Sequence, residues 1–289
     1  MVFMYSGWRP RRSVLFMPAS NQRAIAKAAD LGCDALIFDL EDSVAAGEAD
    51  MARSNLLKLV GKRDFGRREH IIRTSVPGSS GFKADLAVVR AVKPDAVLLP
   101  KLDDATTLAA VRAQLGRHGP RLWAMIESPR ALLNLQAITA AASSCGLDTL
   151  VIGPNDLARS TGVAMHPGRA AMIPWFMNAM AAARAHDLCI LDGVYNNFRD
   201  LDGFAVECRQ GAELGFDGKT LIHPAQIEAA NRAFAPQPSD IDRARRIIEA
   251  FELPENASRG AISLDGEMIE RLHLSMATSL LDLVENLER

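Results

Sequence analysis

Eight short, unbroken apolar runs recur along the chain as far as Ile222, with helix-like segments between them. The runs are Ser13–Ala19, Ala35–Asp39, His70–Val76, Ala96–Leu99, Leu122–Ile126, Leu150–Ile152, Leu188–Leu191 and Thr220–Ile222. The segments between and after them, Asn21–Asp30, Ala49–Val60, Asp85–Val92, Asp104–Leu115, Ala131–Ala142, Trp175–Ala185, Gly203–Leu214 and Ala225–Phe234, carry helical signals. Continuous rather than alternating apolar runs mark parallel strands buried on both faces. Eight such strands alternating with helices predict a (β/α)8 TIM barrel. A doubly wound open sheet is the alternative, but no GxGxxG follows the first run. Polar residues gather at the C-terminal ends of the runs: Asp39, Glu41, Asp42, Arg73, Lys101, Glu127, Asp156, Asp192 and His223. Barrel enzymes build their sites on that face.

The densest stretch is Arg121–Asp156. Two apolar runs, with a helix-like segment between, each lead to a carboxylate, Glu127 and Asp156. A βαβ unit makes its strands parallel, so both acids emerge at one end. Two neighbouring carboxylates repel and resist desolvation unless a cation neutralises them. Mg²⁺ suits the pair, since it takes one or two carboxylates and completes its shell with water and substrate. Unrelated strand-end acids, one capping the next helix, are the plainer reading.

The barrel is expected to span residues 1–235, with a helical extension over 236–289. Ala235–Asp240 holds two prolines and reads as a linker; Ile241–Phe251 reads as a helix and Pro254–Leu264 as loop. From Asp265 to Arg289, apolar residues at Met268, Ile269, Leu272, Met276, Leu280, Leu283 and Leu287 predict an amphipathic helix, a natural arm for a neighbouring subunit. With 48% hydrophobic and 24% charged residues and a net charge of −2, the chain reads as an ordinary soluble protein with no nucleic-acid footprint. Cys33, Cys145, Cys189 and Cys208 have no CxxC spacing, which predicts reduced thiols and a cytoplasmic protein. Apolar Met1–Tyr5 precedes Arg9, Arg11 and Arg12, the reverse of a secretory signal, and no run is long enough to span a membrane.

Nine stretches carry a resemblance to a known family. They are RSVLFMPA (Arg12–Ala19), DALIFDLEDSV (Asp34–Val44), the Arg73 of IIRTSV, LLPK (Leu98–Lys101) and IESPRALLNLQAI (Ile126–Ile138). IGPNDLA (Ile152–Ala158), LDGVY (Leu191–Tyr195), GFDGKTLIHPAQI (Gly215–Ile227) and SLDGEMI (Ser263–Ile269) complete the set. In this order they resemble the citrate lyase β-subunit-like family of the HpcH/HpaI aldolase superfamily, with malyl-CoA and citramalyl-CoA lyases among its relatives. The resemblance implies a TIM barrel with Mg²⁺ on Glu127 and Asp156, Arg73 on substrate oxygens, and Asp265 reaching a neighbouring subunit's site in a homotrimer or hexamer. Three departures leave the acyl substrate open: Arg73-Thr74-Ser75 for Arg-x-Asn, Ser128 for Thr, and Gly153-Pro154-Asn155-Asp156-Leu157 for Gly-Thr-x-Asp-Leu.

The implied reaction cleaves a 3-hydroxyacyl-CoA thioester between C2 and C3 into a 2-oxo acid and acetyl-CoA. The hydroxyl must lose a proton, the developing carbonyl and carboxylate must be held, and an enolate must be stabilised and protonated. Mg²⁺ and the fixed fork of Arg73 serve the oxygens. One acid of the cluster Asp39, Glu41 and Asp42, with Asp42 the catalytic candidate, orients metal-bound water or only caps a helix. Lys101 faces substrate or solvent. Arg12 meets CoA phosphates or belongs to a solvated basic turn. His223 in LIHP reads as structural, and Asp265 as a catalytic acid or a helix cap. A thioesterase on malyl-CoA-type substrates, a citrate lyase β subunit within a larger complex, and a non-catalytic binding protein are the competing readings.

Overall fold

A computed structural model describes residues 9–60 and 65–288. The Met1–Tyr5 stretch and Arg289 lie outside the described residues. Eight parallel strands close a barrel in sequence order: β1 (Ser13–Pro18), β2 (Ala35–Asp39), β3 (Glu69–Arg73), β4 (Ala96–Leu99), β5 (Arg121–Ile126), β6 (Leu147–Ile152), β7 (Cys189–Asp192) and β8 (Gly218–Leu221). The helices around it are α1 (Gln22–Lys27), α2 (Ala49–Asn55), α3 (Phe82–Val92), α4 (Ala105–Leu115), α5 (Pro129–Leu133), α6 (Leu135–Ala140), α7 (Ala142–Cys145), α8 (Pro154–Thr161), α9 (Ile173–Arg184), α10 (Leu201–Glu213) and α11 (Ile227–Ala233). This is a TIM barrel.

Strand side chains alternate between two environments because successive Cβ atoms point to opposite faces. Leu15, Leu36, Ile72, Val97, Ala124, Leu150, Ile190 and Leu221 join the apolar layer shared with the helices. Val14, Ile37, Ile71, Leu98, Val151 and Leu191 alternate with them and fill the barrel interior. Both sets are apolar, which is why the runs read as unbroken. Full burial of each Val, Leu or Ile among them contributes about 1.5–3 kcal/mol. Register then carries the alternation upward: Ile37 pairs with Ile71 and, two residues on, Asp39 pairs with Arg73. An inward position at the C-terminal rim is thus the continuation of an inward apolar row.

The segment between β5 and β6 is three short helices rather than one. Ser128 caps α5 by accepting from the Ala131 N–H at 3.0 Å. Asn134 ends α5 with non-helical angles (φ −103°, ψ 7°) and donates its side chain to Asp103 O at 2.8 Å. Gly146, left-handed at φ 65°, ends α7, so β6 begins at Leu147, earlier than the apolar run suggests.

The chain divides into two compact units, cut before Arg11 and after Phe234; the described residues before Arg11 group with the second. That unit contains α12 (Pro238–Glu252), a hairpin of β9 (Ala261–Leu264) and β10 (Glu267–Glu270), and α13 (Arg271–Glu288). Ala244, Ile247, Phe251, Ile262, Ile269 and Ala277 form its core. The last helix therefore starts at Arg271, not Asp265. Asp265 and Gly266, at φ 54° and 83°, make the two-residue hairpin turn that demands positive φ at both positions.

Candidate active site

The C-terminal rim of the barrel opens into a cavity of about 260 Å³. Phe16, Asp39, Asp42, Arg73, Glu127 and Asp156 are among its lining residues. Asp39 and Arg73, adjacent on β2 and β3, form its floor. Arg73 Nε and Nη2 each donate to an Asp39 oxygen at 2.6 Å. Asp39 also accepts from the backbone N–H of Glu41 (2.9 Å) and Ser43 (3.0 Å). Burial pushes the Asp39 carboxyl up, but Arg73 and these donors outweigh it and hold it below the usual carboxylate range. Burial disfavours the Arg73 cation too, but the facing acids raise its pKa, so it stays charged.

With two nitrogens on Asp39, Arg73 turns Nη1 elsewhere. It lies 3.0 Å from Glu41 Oε2, a charge pair without hydrogen-bond alignment, and 3.5 Å from Asp42. The Phe16 ring covers the guanidinium at 4.8 Å, and Met125 Sδ lies 3.6 Å from Nη1. Glu41 completes the group by accepting from Lys101 Nζ at 2.6 Å. Burial raises the Glu41 pKa against the pull of Arg73 and Lys101.

Glu127 follows β5 and is 2% exposed. Its Oε1 accepts from the Lys101 backbone N–H at 2.7 Å. Burial, reinforced by the negative charges of Asp156 and Glu41, pushes its pKa up to about 7, against the Lys101 N–H and Arg73. Asp156 is not at a strand end: it lies in the first turn of α8, behind Gly153 and Pro154. Partial positive charge at a helix start favours an acid there. Arg159, one turn on, pairs with it.

These residues fit a divalent cation. Glu127 is a buried carboxylate whose charge is disfavoured by its surroundings, and Asp156 adds a second negative charge at the same cavity. Gly153 lets the Glu127 side chain sit here: a Cβ would collide with it and lie 2.7 Å from Oε2. Among the described residues no group of three or more His, Cys, Asp or Glu is arranged as a metal cage. Two oxygen ligands suit Mg²⁺, which keeps waters and substrate in its shell.

The other expected site residues separate. Asp42 lines the cavity with its side chain 56% exposed. Lys101 does not offer a free amine: Nζ is bound to Glu41 and lies 3.9 Å from Asp42. Arg12 precedes β1, at the foot of the barrel, opposite the cavity. It donates through Nε and Nη2 to Asp34 at 2.8 Å each, an ion pair that sets it apart from the cavity. Asp192 points outward from β7 and pairs with Lys219 (2.8 Å) and Arg169 (2.6 Å). His223 caps the turn at Pro224–Gln226, accepting from the Ala225 N–H at Nδ1. Asp265, in the second unit, pairs with Arg246 at 2.8 Å and caps no helix. Phe16, Met125 and Gly153 are site residues that residue chemistry alone does not flag; the inward alternation of β1 and β5 is the signal that finds the first two.

The model of the family described as HpcH/HpaI aldolase/citrate lyase matches residues 12–224. A (3S)-malyl-CoA thioesterase of Cereibacter sphaeroides is 44% identical over 272 residues, covering 94% of each chain. The citrate lyase subunit beta of Escherichia coli is 32% identical over 271 residues, 91% of this chain and 89% of its own. Among solved structures, CitE from Mycobacterium tuberculosis in complex with magnesium, acetoacetate and coenzyme A superposes with a TM-score of 0.78 at 27% identity, covering 93% of this chain and 96% of that one. Since the match spans the barrel from the start of β1 to the turn after β8, and so includes every residue of the cavity, the chain belongs to the HpcH/HpaI aldolase/citrate lyase family.

Proposed function

We propose that this protein is a Mg²⁺-dependent lyase that cleaves a 3-hydroxyacyl-CoA thioester, of the malyl-CoA or citramalyl-CoA type, into a 2-oxo acid and acetyl-CoA. One observation carries the reading: Arg73 Nη1 and the Glu127 carboxylate belong to one cavity, and each is held by a fixed partner, Asp39 and the Lys101 N–H. A magnesium ion on Glu127 and Asp156 would polarise the hydroxyl and carboxylate oxygens of the substrate. Arg73 binds the same end of the molecule with a fixed donor, and Asp39 keeps that donor oriented throughout. Asp42, at the exposed edge of the cavity, takes the hydroxyl proton. The C2–C3 electron pair then passes to the thioester half as an enolate, which needs one proton at carbon. By family resemblance Asp265 of a neighbouring subunit serves that carbon, in a trimer or hexamer.

Hydrolysis of the thioester is the second reading. It is favoured by the 44% identity to a (3S)-malyl-CoA thioesterase, against 32% to a citrate lyase subunit. Arg73 would hold the acid end in the same way, while water attacks the thioester carbonyl. The citrate lyase subunit resemblance adds an acyl-carrier thioester as a possible substrate form. A cytoplasmic setting is supported by four free, buried cysteines. Among the described residues no helix is long and apolar enough to cross a membrane.

Product analysis of the purified protein on (3S)-malyl-CoA and citramalyl-CoA, with Mg²⁺ and with EDTA, tests the reading. A 2-oxo acid with acetyl-CoA, lost in EDTA, is expected. Free hydroxy acid with CoA would replace lyase by thioesterase, and turnover confined to an acyl-carrier thioester would make the chain a subunit.

A further inference from the structure

Lys101 is one of five described non-glycine residues with positive φ. Two of the others have local causes. Lys93 (φ 53°) caps the end of α3, and Asp265 shares a hairpin turn with Gly266. Lys101 (φ 49°) caps no helix and closes no hairpin; it is the second residue of the Pro100–Lys101 turn after β4, a position where glycine is the usual choice. An L side chain in this region is strained by its Cβ against the following carbonyl. Such strain persists where the surroundings hold it, and it concentrates at functional sites.

The conformation brings two bonds together on one residue. The Lys101 N–H donates to Glu127 Oε1 at 2.7 Å, and the side chain leaves toward Glu41, bound at 2.6 Å. The angle φ sets the direction of the side chain and the outgoing chain relative to the N–H. The left-handed value is therefore what lets the N–H stay on Glu127 while the amine reaches Glu41. With Oε1 tied down, Oε2 packs against Gly153, where only a residue without a Cβ admits the Glu127 side chain.

Resting on the proposed metal role of Glu127, we infer that Lys101 is a positioning residue whose left-handed backbone, rather than its charge, presents the Glu127 carboxylate to a divalent cation. Substitution separates the two contributions. Lys101→Gly keeps the N–H and removes the strain. Lys101→Met keeps an unbranched side chain but removes the amine. Lys101→Val adds a β-branch, which disfavours the left-handed region further and drives the preceding peptide to rotate.

The test is titration of the full chain with Mn²⁺ alone, following the EPR signal of free Mn²⁺ and requiring no turnover. Lys101→Gly and Lys101→Met are expected to bind as tightly as the wild type or more tightly, since a positive charge beside Glu41 and Asp42 has been removed. Lys101→Val is expected to bind at least about tenfold more weakly, or roughly 1.4 kcal/mol. Wild-type affinity in Lys101→Val overturns the inference. So does weakening in both Lys101→Gly and Lys101→Met, which assigns the effect to the amine and decides the matter even where Lys101→Val does not fold. An absence of Mn²⁺ binding in the wild type is a different failure, and it overturns the metal reading itself.

Discussion

Asp39 and Arg73 are register partners on neighbouring strands, and their side chains meet in a two-point pair inside the barrel, 0% and 6% exposed. The pair fixes which nitrogen of Arg73 is available. Nε and Nη2 are committed to Asp39, so only Nη1 turns toward Glu41, Asp42 and the cavity.

Arg73→Lys is therefore expected to behave as a severe change. Lys can neutralise Asp39 or reach the cavity, but it has no planar fork with which to do both. Loss of one charge-assisted hydrogen bond is worth about 1.5–3 kcal/mol, or roughly tenfold to a hundredfold in kcat/KM. Asp39→Asn should give a similar loss with Arg73 still present, and should lower the urea midpoint because it breaks a buried pair. Unchanged kcat/KM in both variants would remove Arg73 from the site.

Gly153→Ala tests the space beside Glu127. The added Cβ would collide with the Glu127 Cβ and lie 2.7 Å from its Oε2, forcing the whole Glu127 side chain aside. The expected result is a rise of about tenfold or more in the Mg²⁺ concentration needed for half-maximal activity. Glu127→Gln should abolish the EDTA-sensitive activity altogether while leaving the circular dichroism of the fold intact. Full activity of Glu127→Gln in EDTA would sink the metal assignment.

Acid stability should depend on Asp192. This carboxyl is fully buried; burial raises its pKa, but Lys219 and Arg169 outweigh that and depress it. A depressed folded-state pKa contributes stability above the unfolded value, about 3.9. That contribution is lost as pH falls through the folded value. Asp192→Asn should destabilise at pH 7 by at most about 3–5 kcal/mol, because the buried cations Lys219 and Arg169 are left to share Glu207. The deficit should shrink progressively below about pH 4, where the wild-type carboxyl takes up a proton in the unfolded chain while the folded one still stays charged. Urea unfolding of both proteins at pH 7 and pH 3 measures it, and an equal deficit at the two pH values would contradict the account.

The barrel and the rim position of Glu127 are legible in the chain because they follow from one regularity, the inward and outward alternation of parallel strands. Arg12 shows the same rule in reverse. It precedes β1, so its place at the foot of the barrel is implied by strand direction, and only its membership of a shared motif suggests otherwise. Asp156 is legible as a residue of the right end but not as a helix residue, because Pro154 serves equally as a strand terminator and as the first residue of α8. The role of Lys101 is not legible at all: it depends on a dihedral angle that a lysine seldom adopts. The β9–β10 hairpin is a conflict of signals. Asp265-Gly266 between apolar residues marks a tight turn, while Met268, Ile269, Leu272 and Met276 fit a helical period equally well, and the local turn wins up to Glu270.

The hairpin placement sharpens the expectation for Asp265. It stands at a turn tip, about half exposed and paired with Arg246. Asp265 caps no helix, but it holds a left-handed turn position that Asn tolerates and Ala does not, so Asp265→Asn is expected to alter the melting temperature little and Asp265→Ala to cost about 1–2 kcal/mol. If Asp265 also serves the enolate carbon of a neighbouring subunit, Asp265→Ala should be inactive although folded. Mixing Asp265→Ala with Glu127→Gln separates a shared site from a self-contained one. In a trimer with shared sites, some mixed oligomers join a barrel with intact Glu127 to a turn with intact Asp265, and part of the activity returns. Subunit exchange is followed independently, by native mass spectrometry of one labelled variant. Exchange without any recovery of activity would show that Asp265 does not act across the interface.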